Sequence, residues 1–328
     1  MASTCGKWPT APREMERYKE LIEARISAWC AALPDSGLYA PMAYLMDLPA
    51  KRVRPALVLM GSELFGGRAE HAIDEAIGIE LFHNFTLMHD DIMDQAPLRR
   101  GRPTVHAKWG VNTAILSGDA MLVKAYQLVG RYPEVHAAFS RCALEVCEGQ
   151  QLDMDFERRD DVRVDEYMEM IRLKTAVLLS CSLRIGAIVA GAAEEGQERI
   201  AAFGEHLGLA FQLRDDVLDA FGDPAKTGKQ QGGDLRAGKK TYLLIRGLER
   251  SAELGRNELR DELSKPAEQR DVSRMLSTIE ELGARKEAES LVREHDTLAS
   301  SALEAVSAED GRKEALRDLS TRLLDRVH

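Results

Sequence analysis

The chain has 328 residues, 45% hydrophobic and 30% charged, a composition typical of a folded globular protein and not of a disordered one. Its net charge of −10 argues against a general nucleic-acid-binding protein, which usually has a surplus of basic residues. The five cysteines are odd in number and form no CxxC pair, which argues against a disulfide framework and predicts reduced thiols in a cytoplasmic protein.

Apolar residues recur every three or four positions in many segments, as they do on one face of an amphipathic helix. Tyr18, Ile22 and Ile26 are one such series. Proline is absent between Pro133 and Pro224, so long helices are permitted there. Segments with alternating polar and apolar residues are few. These patterns predict an all-α fold, with an α/β fold as the alternative.

The expected domain organisation is simple. Residues 1–12 have no secretory signal pattern and are expected to be disordered, whereas residues 13–328 are expected to form a single helical domain. No apolar run approaches the roughly 18 residues of a membrane-spanning helix, so no membrane span is expected. The longest loop signal covers residues 222–240, which are rich in Gly, Lys and Asp.

A short acidic motif occurs twice, each time after an apolar helical stretch. Each copy has two adjacent aspartates and a third four places after the first: Asp90, Asp91 and Asp94, then Asp215, Asp216 and Asp219. Residues at i and i+4 lie on one helix face, where like charges repel each other. Carboxylate clusters of this kind suit Mg²⁺ that is also bound by phosphates. The alternative is a solvated acidic helix face.

Basic residues lie near both motifs in the sequence. They are Lys51, Arg54, Arg99, Arg100, Lys174, Lys229 and Lys239. An acidic protein with such cations around acidic helices is expected to bind Mg²⁺ and phosphate groups together. Surface salt bridges are the alternative for any one of these cations. A Walker A loop is excluded because the sequence has no GxxxxGK[ST].

In this order and at these intervals, the motifs resemble those of the trans-isoprenyl diphosphate synthases, or polyprenyl synthetases. Residues 83–106 and 211–224 resemble the two aspartate-rich regions of that family. The matching elements between and after them are Glu148-Gly-Gln-Gln-Leu-Asp153, Lys174-Thr175, Gly228-Lys229 to Asp234, and Gly238-Lys-Lys-Thr241. The resemblance covers roughly residues 51–244. The chain departs from the family at Ala50, where the family usually has Gly.

The resemblance implies a fold and a reaction. The fold would be a single large helical bundle around a central cavity, and the protein would be a homodimer. The reaction would join isopentenyl diphosphate head-to-tail to an allylic diphosphate, with three Mg²⁺ ions per active site when the diphosphate is bound. The resemblance also implies that the departing diphosphate accepts the released proton, and no side-chain base is evident in the motifs.

The resemblance also implies a role for each matching residue. The Mg²⁺ ligands would be Asp90, Asp94 and Asp215, supported directly or through water by Asp91, Asp216 and Asp219. The allylic diphosphate would be bound by Arg99, Lys174, Lys229 and Lys239. The diphosphate of isopentenyl diphosphate would be bound by Lys51, Arg54 and Arg100, with His83 nearby. The reacting carbon would lie against Thr175 and Gln212.

Three other classes of function remain as alternatives. A class I terpene cyclase would share the first motif, but its second metal motif normally contains Asn/Asp, Ser/Thr and Glu at wider spacing. A metal phosphohydrolase could use the pair His89-Asp90, yet it needs further histidine ligands, and only eight histidines are present. A non-catalytic helical subunit is disfavoured by the intact motifs.

Product length is predicted from the residues before the first motif, where the resemblance places the growing isoprenoid tail. Phe85 precedes Asp90 by five residues, about 7.5 Å along a helix axis. Phe82 lies one turn further and could complete the floor of a pocket, with core packing as the alternative for both rings. Thr86 is small where short-chain farnesyl synthases tend to have an aromatic residue. The pattern favours a geranylgeranyl (C20) product, with farnesyl (C15) or a longer product as alternatives.

Overall fold

The computed structural model describes residues 13–223 and 231–324, so the expectation for residues 1–12 lies outside the described part. The described residues are α-helical apart from turns, short non-α helical segments and a two-stranded hairpin, which confirms the all-α prediction. The first ten helices are α1 (Arg13–Ala31), α2 (Ala40–Met46), α3 (Val53–Leu64), α4 (Ile73–Met93), α5 (Val105–Trp109), α6 (Val111–Val129), α7 (Pro133–Phe156), α8 (Val164–Ile171), α9 (Val177–Val189) and α10 (Glu194–Phe221).

Six further helices are described between residues 231 and 324. They are α11 (Gly233–Ala237), α12 (Tyr242–Glu253), α13 (Glu258–Leu263), α14 (Val272–Glu281), α15 (Ala284–Ala305) and α16 (Asp310–Leu324). Short 3₁₀ turns occur at Ala69–His71 and Ala267–Gln269, and a π-helical segment at Arg172–Ala176 joins α8 to α9. The hairpin consists of β1 (Leu98–Arg99) and β2 (Arg102–Pro103), antiparallel with Leu98 opposite Pro103. No helix of the described residues is long and apolar enough to cross a membrane.

The chain divides into two compact units. Of the described residues, unit 1 contains 13–143, 181–200 and 307–315, and unit 2 contains 144–180, 201–223, 231–306 and 316–324. The first aspartate motif therefore belongs to unit 1 and the second to unit 2.

Unit 1 is built around α4, most of which is buried although it ends in the acidic motif. The buried apolar residues of this helix include Ala76, Ile77, Ile79, Leu81, Phe82 and Met88. Gly118 lets α6 approach the end of α4, because a Cβ there would lie 2.3 Å from Nε2 of His89. The His89 ring thus lies against α6, with Nε2 3.3 Å from the carbonyl oxygen of Ile115. This close packing fixes the position of the helix turn that carries Asp90.

Unit 2 has a separate apolar core, to which α8, α10, α12, α14 and α15 all contribute. Its buried residues include Tyr167, Leu213, Val217, Leu244, Met275, Ile279 and Ala288. The second aspartate motif belongs to α10, whose successive turns supply Leu213, Val217 and Ala220 to this core. Packing therefore fixes the rotation of α10 and decides which aspartates face away from the core.

Glu75, in the first turn of α4, is a buried acid whose two carboxyl oxygens have no hydrogen-bond partner among the described residues. Burial raises the pKa of Glu75 above its usual value of 4.5, with a smaller contribution from Asp74. The folded state therefore prefers the protonated acid. As the pH rises above 4.5, the unfolded chain loses this proton first, so Glu75 lowers the stability of the fold progressively until its folded-state pKa is passed.

Glu75→Gln is accordingly expected to stabilise the protein at pH 8 by about 1 kcal/mol, because an unpaired buried charge is replaced by a neutral amide. The gain should shrink as the pH falls to 4.5, where the buried acid of the folded state holds its proton and half of the unfolded chains hold it too. Urea unfolding at the two pH values measures the difference. Glu134→Gln, at an exposed position in the first turn of α7, is the matched control and should show neither effect. A Glu75→Gln protein less stable than wild type at pH 8 would contradict this account.

Candidate active site

The first aspartate motif lies at the end of α4. Asp90 is half-buried and Asp94 is exposed. The backbone of Asp94 keeps helical dihedral angles and its N–H donates to the carbonyl oxygen of Asp90 at 2.8 Å. The helical path thus continues through the whole motif, as the i, i+4 spacing predicts.

Asp91, between these two residues, is buried and engaged with Arg99. Nε of Arg99 donates to both carboxylate oxygens, at 3.0 and 2.8 Å, and Nη2 lies 2.8 Å from Oδ1. Arg99 belongs to β1, so this ion pair ties the hairpin to the end of α4. Because both Asp91 oxygens already accept hydrogen bonds, the geometry favours a role in holding Arg99 over direct metal ligation. The predicted metal role of Asp91 stays a prediction.

The predicted residues Arg54, on α3, and His83, on α4, are brought together. Nη1 of Arg54 lies 3.2 Å from Nε2 of His83. Burial, followed by the charges of Arg54, Arg100 and Arg99, lowers the pKa of His83 well below its usual value of 6.5. The ring is therefore neutral near pH 7 and accepts the hydrogen bond. Nε of Arg54 is buried and has no hydrogen-bond partner among the described residues.

The turn before α3 explains how the chain tolerates Ala50. Ala50 has no positive φ; the left-handed residue is Arg52, with φ of 52°. The Arg52 guanidinium is buried and donates to Glu80 at 2.7 Å and to Glu23 at 2.9 Å. These ion pairs hold a conformation that non-glycine residues seldom adopt. Lys51, directly before Arg52 and predicted to bind diphosphate, is half-buried.

The second aspartate motif, like the first, contains both a half-buried and a buried aspartate. Asp215 is half-buried, whereas Asp216 is buried. Oδ2 of Asp216 accepts hydrogen bonds from the Tyr167 hydroxyl and from the backbone N–H of Tyr242, and Oδ1 accepts one from Nε2 of Gln212 at 3.3 Å. Burial raises the pKa of Asp216 to about 7, although these hydrogen bonds act in the opposite direction. Its contacts indicate that Asp216 positions Gln212, and its predicted metal role stays a prediction.

Asp219 connects the motif to the loop that follows. Oδ2 of Asp219 accepts the backbone N–H of Asp234 at 3.0 Å, and its carbonyl oxygen accepts the N–H of Gly232 at 2.7 Å. One carboxylate oxygen is therefore used to hold the start of α11. The predicted phosphate ligand Lys229 lies outside the described residues, and Lys239 is exposed just after α11.

Lys174 and Thr175 lie in the π-helical segment Arg172–Ala176. Nζ of Lys174 is 2.5 Å from Oδ2 of Asp153 on α7. The Thr175 hydroxyl donates to Oε1 of Gln212 at 3.3 Å, so the two residues predicted to line the reacting carbon do lie side by side. Such single-turn widenings of a helix are frequent at functional sites, because they redirect side chains that a regular helix would turn away.

Gly149 on α7 permits this arrangement. A Cβ at Gly149 would lie 2.4 Å from the backbone nitrogen of Lys174 and 2.8 Å from the carbonyl carbon of Leu173. Gly208 on α10 gives the segment similar room, since a Cβ there would lie 2.5 Å from Cα of Ala176. Two glycines thus let α7 and α10 approach the π-helical backbone closely enough to align Lys174 with Asp153 and Thr175 with Gln212.

The predicted chain-length residues lie on α4, before the first motif. The Phe85 ring is half-buried, with its centroid 5.8 Å from that of Phe82 and 4.7 Å from that of His89. Phe82 is only 1% exposed and packs edge-on against Phe139. The hydroxyl of Thr86 donates to the carbonyl oxygen of His83 at 2.8 Å. Phe82 is therefore a core residue behind Phe85, and the role of these residues in product length stays a prediction.

Sequence reasoning assigned no role to Asp153, Gly149 or Tyr167. Asp153 and Gly149 stand inside the matching element Glu148–Asp153, so a signal for them was present. Tyr167 stands outside every motif, and no sequence signal connects it to Asp216, 49 residues away.

Within residues 13–223 and 231–324, no three His, Cys, Asp or Glu side chains are grouped closely enough to hold a metal ion by themselves.

The chain is similar to a known protein family in both sequence and structure. Residues 35–279 match the family model described as polyprenyl synthetase. A short chain isoprenyl diphosphate synthase of Methanothermobacter thermautotrophicus is 36% identical over 320 residues, 96% of this chain and 98% of the relative. A geranylfarnesyl diphosphate synthase of Aeropyrum pernix is 38% identical over 320 residues, 94% and 99% of the two chains. A crystal structure of a geranylgeranyl pyrophosphate synthase is 44% identical, with a TM-score of 0.89 over 96% of this chain and 99% of that one.

Proposed function

Because this chain belongs to the polyprenyl synthetase family and is therefore a prenyltransferase, we propose that it makes geranylgeranyl diphosphate. It would do so by adding isopentenyl diphosphate head-to-tail to allylic diphosphates. The C20 product is supported by the 44% identical geranylgeranyl pyrophosphate synthase and by the Phe85 and Thr86 pattern on α4. A C15 product, or the C25 product named for the Aeropyrum pernix relative, is the alternative.

The observation that carries the proposal is the environment of Arg54. Its buried Nε has no hydrogen-bond partner among the described residues, and its neighbour His83 is surrounded by the charges of Arg54, Arg99 and Arg100. A buried donor without a partner is unfavourable, so such a cationic cluster favours the binding of an anion. A diphosphate offers several oxygens to these donors, and the guanidinium geometry suits them.

The exposed and half-buried aspartates fit Mg²⁺. Asp90, Asp94 and Asp215 offer hard oxygen donors, the ligand type that Mg²⁺ prefers. Since Mg²⁺ usually takes only one or two carboxylates and completes its shell with phosphate oxygens and water, clusters of three carboxylates are not required. We assign these three residues as ligands of Mg²⁺, three ions per active site, whose chemistry would be to neutralise diphosphate charge. Asp91, Asp216 and Asp219 would support the site by holding Arg99, Gln212 and α11.

The cationic side chains would then stabilise the departing group. When the allylic carbon–oxygen bond breaks, negative charge develops on the diphosphate, and Arg99, Lys174 and Lys239 would stabilise it. The ion pairs Arg99–Asp91 and Lys174–Asp153 already hold two of these cations, so little reorganisation is needed.

The residual allylic cation would lie near the oxygen dipoles of Thr175 and Gln212. Their mutual hydrogen bond, and the one from Gln212 to Asp216, fix the direction of these dipoles. The double bond of isopentenyl diphosphate, bound by Lys51, Arg54 and Arg100, attacks the cation and forms the new carbon–carbon bond. Loss of a proton to the departing diphosphate completes the condensation. Water must be excluded until then, because it would trap the cation.

Phe85→Ala is expected to lengthen the product beyond that of the wild type. Loss of the half-buried ring would leave room for further isoprenoid carbons beside α4, each gaining about 0.8 kcal/mol per buried CH₂. Thr86→Phe is the opposite change and should shift the product toward C15. Product distributions at saturating isopentenyl diphosphate measure both effects. An active, folded Phe85→Ala protein with unchanged product length would exclude Phe85 as the length determinant and leave Met121, buried on α6, as the next candidate.

A homodimer is proposed as the assembly state. One face of α6 exposes the large apolar side chains Val111, Ile115, Leu116 and Val123, and an apolar patch on a helix face is typical of a surface that a second copy covers. Analytical ultracentrifugation, with Leu116→Glu as the disrupting variant, tests the assembly.

The four cysteines in the described part of the chain are free thiols, which supports the proposed cytoplasmic location.

The decisive experiment is product analysis of the purified chain with Mg²⁺, isopentenyl diphosphate and dimethylallyl, geranyl or farnesyl diphosphate. Geranylgeranyl diphosphate is expected with Mg²⁺ present, and no product after chelation. Terpene hydrocarbons formed without isopentenyl diphosphate would instead identify a cyclase. A folded protein that is inert with every substrate pair would favour a non-catalytic subunit.

A further inference from the structure

Two histidines of unit 2 face each other away from the residues assigned to catalysis. His206 lies on α10 and His295 on α15, and both are half-buried. Their Nδ1 atoms are 3.1 Å apart, with ring centroids 5.3 Å apart and ring planes inclined by 35°. The proposed prenyl transfer uses neither residue.

The distance between the two Nδ1 atoms matches the spacing of two imidazole ligands on one metal ion. With metal–nitrogen bonds of about 2.05 Å, two ligands at a tetrahedral angle have nitrogens about 3.3 Å apart, and two at a right angle about 2.9 Å apart. The observed 3.1 Å lies between these two values. The separation of the two nitrogens therefore suits ligation of one ion by both rings.

Two of the acidic residues that flank these histidines in the chain have other partners. Glu205 is paired with Arg172, with Nη1 and Oε2 3.6 Å apart, and Asp296 accepts a hydrogen bond from Ser320 at 3.5 Å. In the described ranges no third His, Cys, Asp or Glu joins the pair as a ligand group. Burial, and then the neighbouring His206, lower the pKa of His295, so its ring is neutral and able to ligate at pH 7.

We propose that His206 and His295 form a two-histidine site for a first-row transition-metal ion such as Ni²⁺, Zn²⁺ or Cu²⁺, bound through the two Nδ1 atoms. Imidazole favours these ions, whereas Mg²⁺ favours oxygen ligands, so the site is chemically separate from the aspartate motifs. A bound ion would tie α10 to α15. Since α10 also carries Gln212 and Asp215, the ion would stabilise the helix that supports the second motif.

The test is the melting temperature of the full, tag-free chain, measured with and without 100 µM Ni²⁺ or Zn²⁺ while excess Mg²⁺ occupies the carboxylate sites. An ion that binds only the folded chain raises Tm, and a rise of about 3 °C or more is expected for the wild type. His206→Gln and His295→Gln should each lose the rise. The control His71→Gln, at an exposed histidine of unit 1, should keep it.

Electron paramagnetic resonance with one equivalent of Cu²⁺ gives a second readout that does not depend on stability. Coupling to two imidazole nitrogens is expected in the wild type and in His71→Gln, and loss of that signal in each single variant. A wild-type Tm unchanged by Ni²⁺ and Zn²⁺, or a Cu²⁺ signal that persists in His206→Gln and His295→Gln, would overturn the proposal. The pair would then be a hydrogen bond between the two rings.

Discussion

Asp90→Ala and Asp215→Ala are each expected to lower kcat/KM by about a thousandfold, equivalent to about 4 kcal/mol of transition-state stabilisation. Each change removes a carboxylate assigned to Mg²⁺, and with it part of the charge neutralisation of the departing diphosphate. The fold should survive, because both side chains are only half-buried and their loss relieves repulsion between like charges. Steady-state kinetics with isopentenyl and farnesyl diphosphates, together with Tm, measures the two effects separately.

Glu198→Ala is the matched control for the charge change. Glu198 is an exposed carboxylate on α10, the helix that carries Asp215, and its loss should leave kcat/KM within a factor of about two. Near-normal turnover in both aspartate variants would remove the basis for assigning metal ligands to these motifs. It would leave the family membership untouched, because that rests on the whole-chain similarity.

Gly149→Ala is expected to lower kcat/KM by roughly a hundredfold and to destabilise unit 2 by about 1–3 kcal/mol. The added methyl group would lie 2.4 Å from the backbone nitrogen of Lys174. Backbone atoms cannot rotate away, so α7 and the π-helical segment must separate. That movement would displace Lys174 from Asp153 and misplace a cation assigned to the allylic diphosphate.

Gly311→Ala separates this effect from the general consequences of replacing a helical glycine. Gly311 lies in the first turn of α16 and has open space around it, so alanine there should be neutral or slightly stabilising. If Gly149→Ala kept wild-type Tm and activity, α7 and the π-helical segment would be less tightly packed than described. Lys174→Met with normal stability but low activity would confirm that the lysine, and not the packing alone, matters for turnover.

The exposed apolar face of α6 and the two-histidine site could not be predicted from the sequence in the way that the motifs could. Leu116 or His206 alone carries no sequence signal, because isolated apolar residues and histidines are common on protein surfaces. The three-dimensional arrangement adds the information: neighbouring apolar side chains lie together on one helix, and two rings from residues far apart in the chain come within 3.1 Å.

Much of the fold and of the reaction class followed from the sequence by itself. The helical periodicity and the absence of proline between Pro133 and Pro224 were sufficient for the all-α prediction, because both act locally along the chain. The spacing Asp90–Asp94 and Asp215–Asp219 places each pair on one helix face whatever the helix packs against. The ordered motifs likewise indicated the family that the whole-chain comparison supports.

Only the tertiary structure decided which charged groups are buried and what each one contacts. Spacing treats Asp91 and Asp216 like their neighbours, yet packing buries both and engages them with Arg99 and Tyr167. It also gives Arg52 the left-handed conformation and brings Asp153 to Lys174. Burial and pairing depend on which helices lie side by side, and residues 21 or 49 positions apart carry no periodic signal of their contact. For that reason the sequence predicted the chemistry of the site, whereas the packing determined which of its charged residues are buried and which residues they contact.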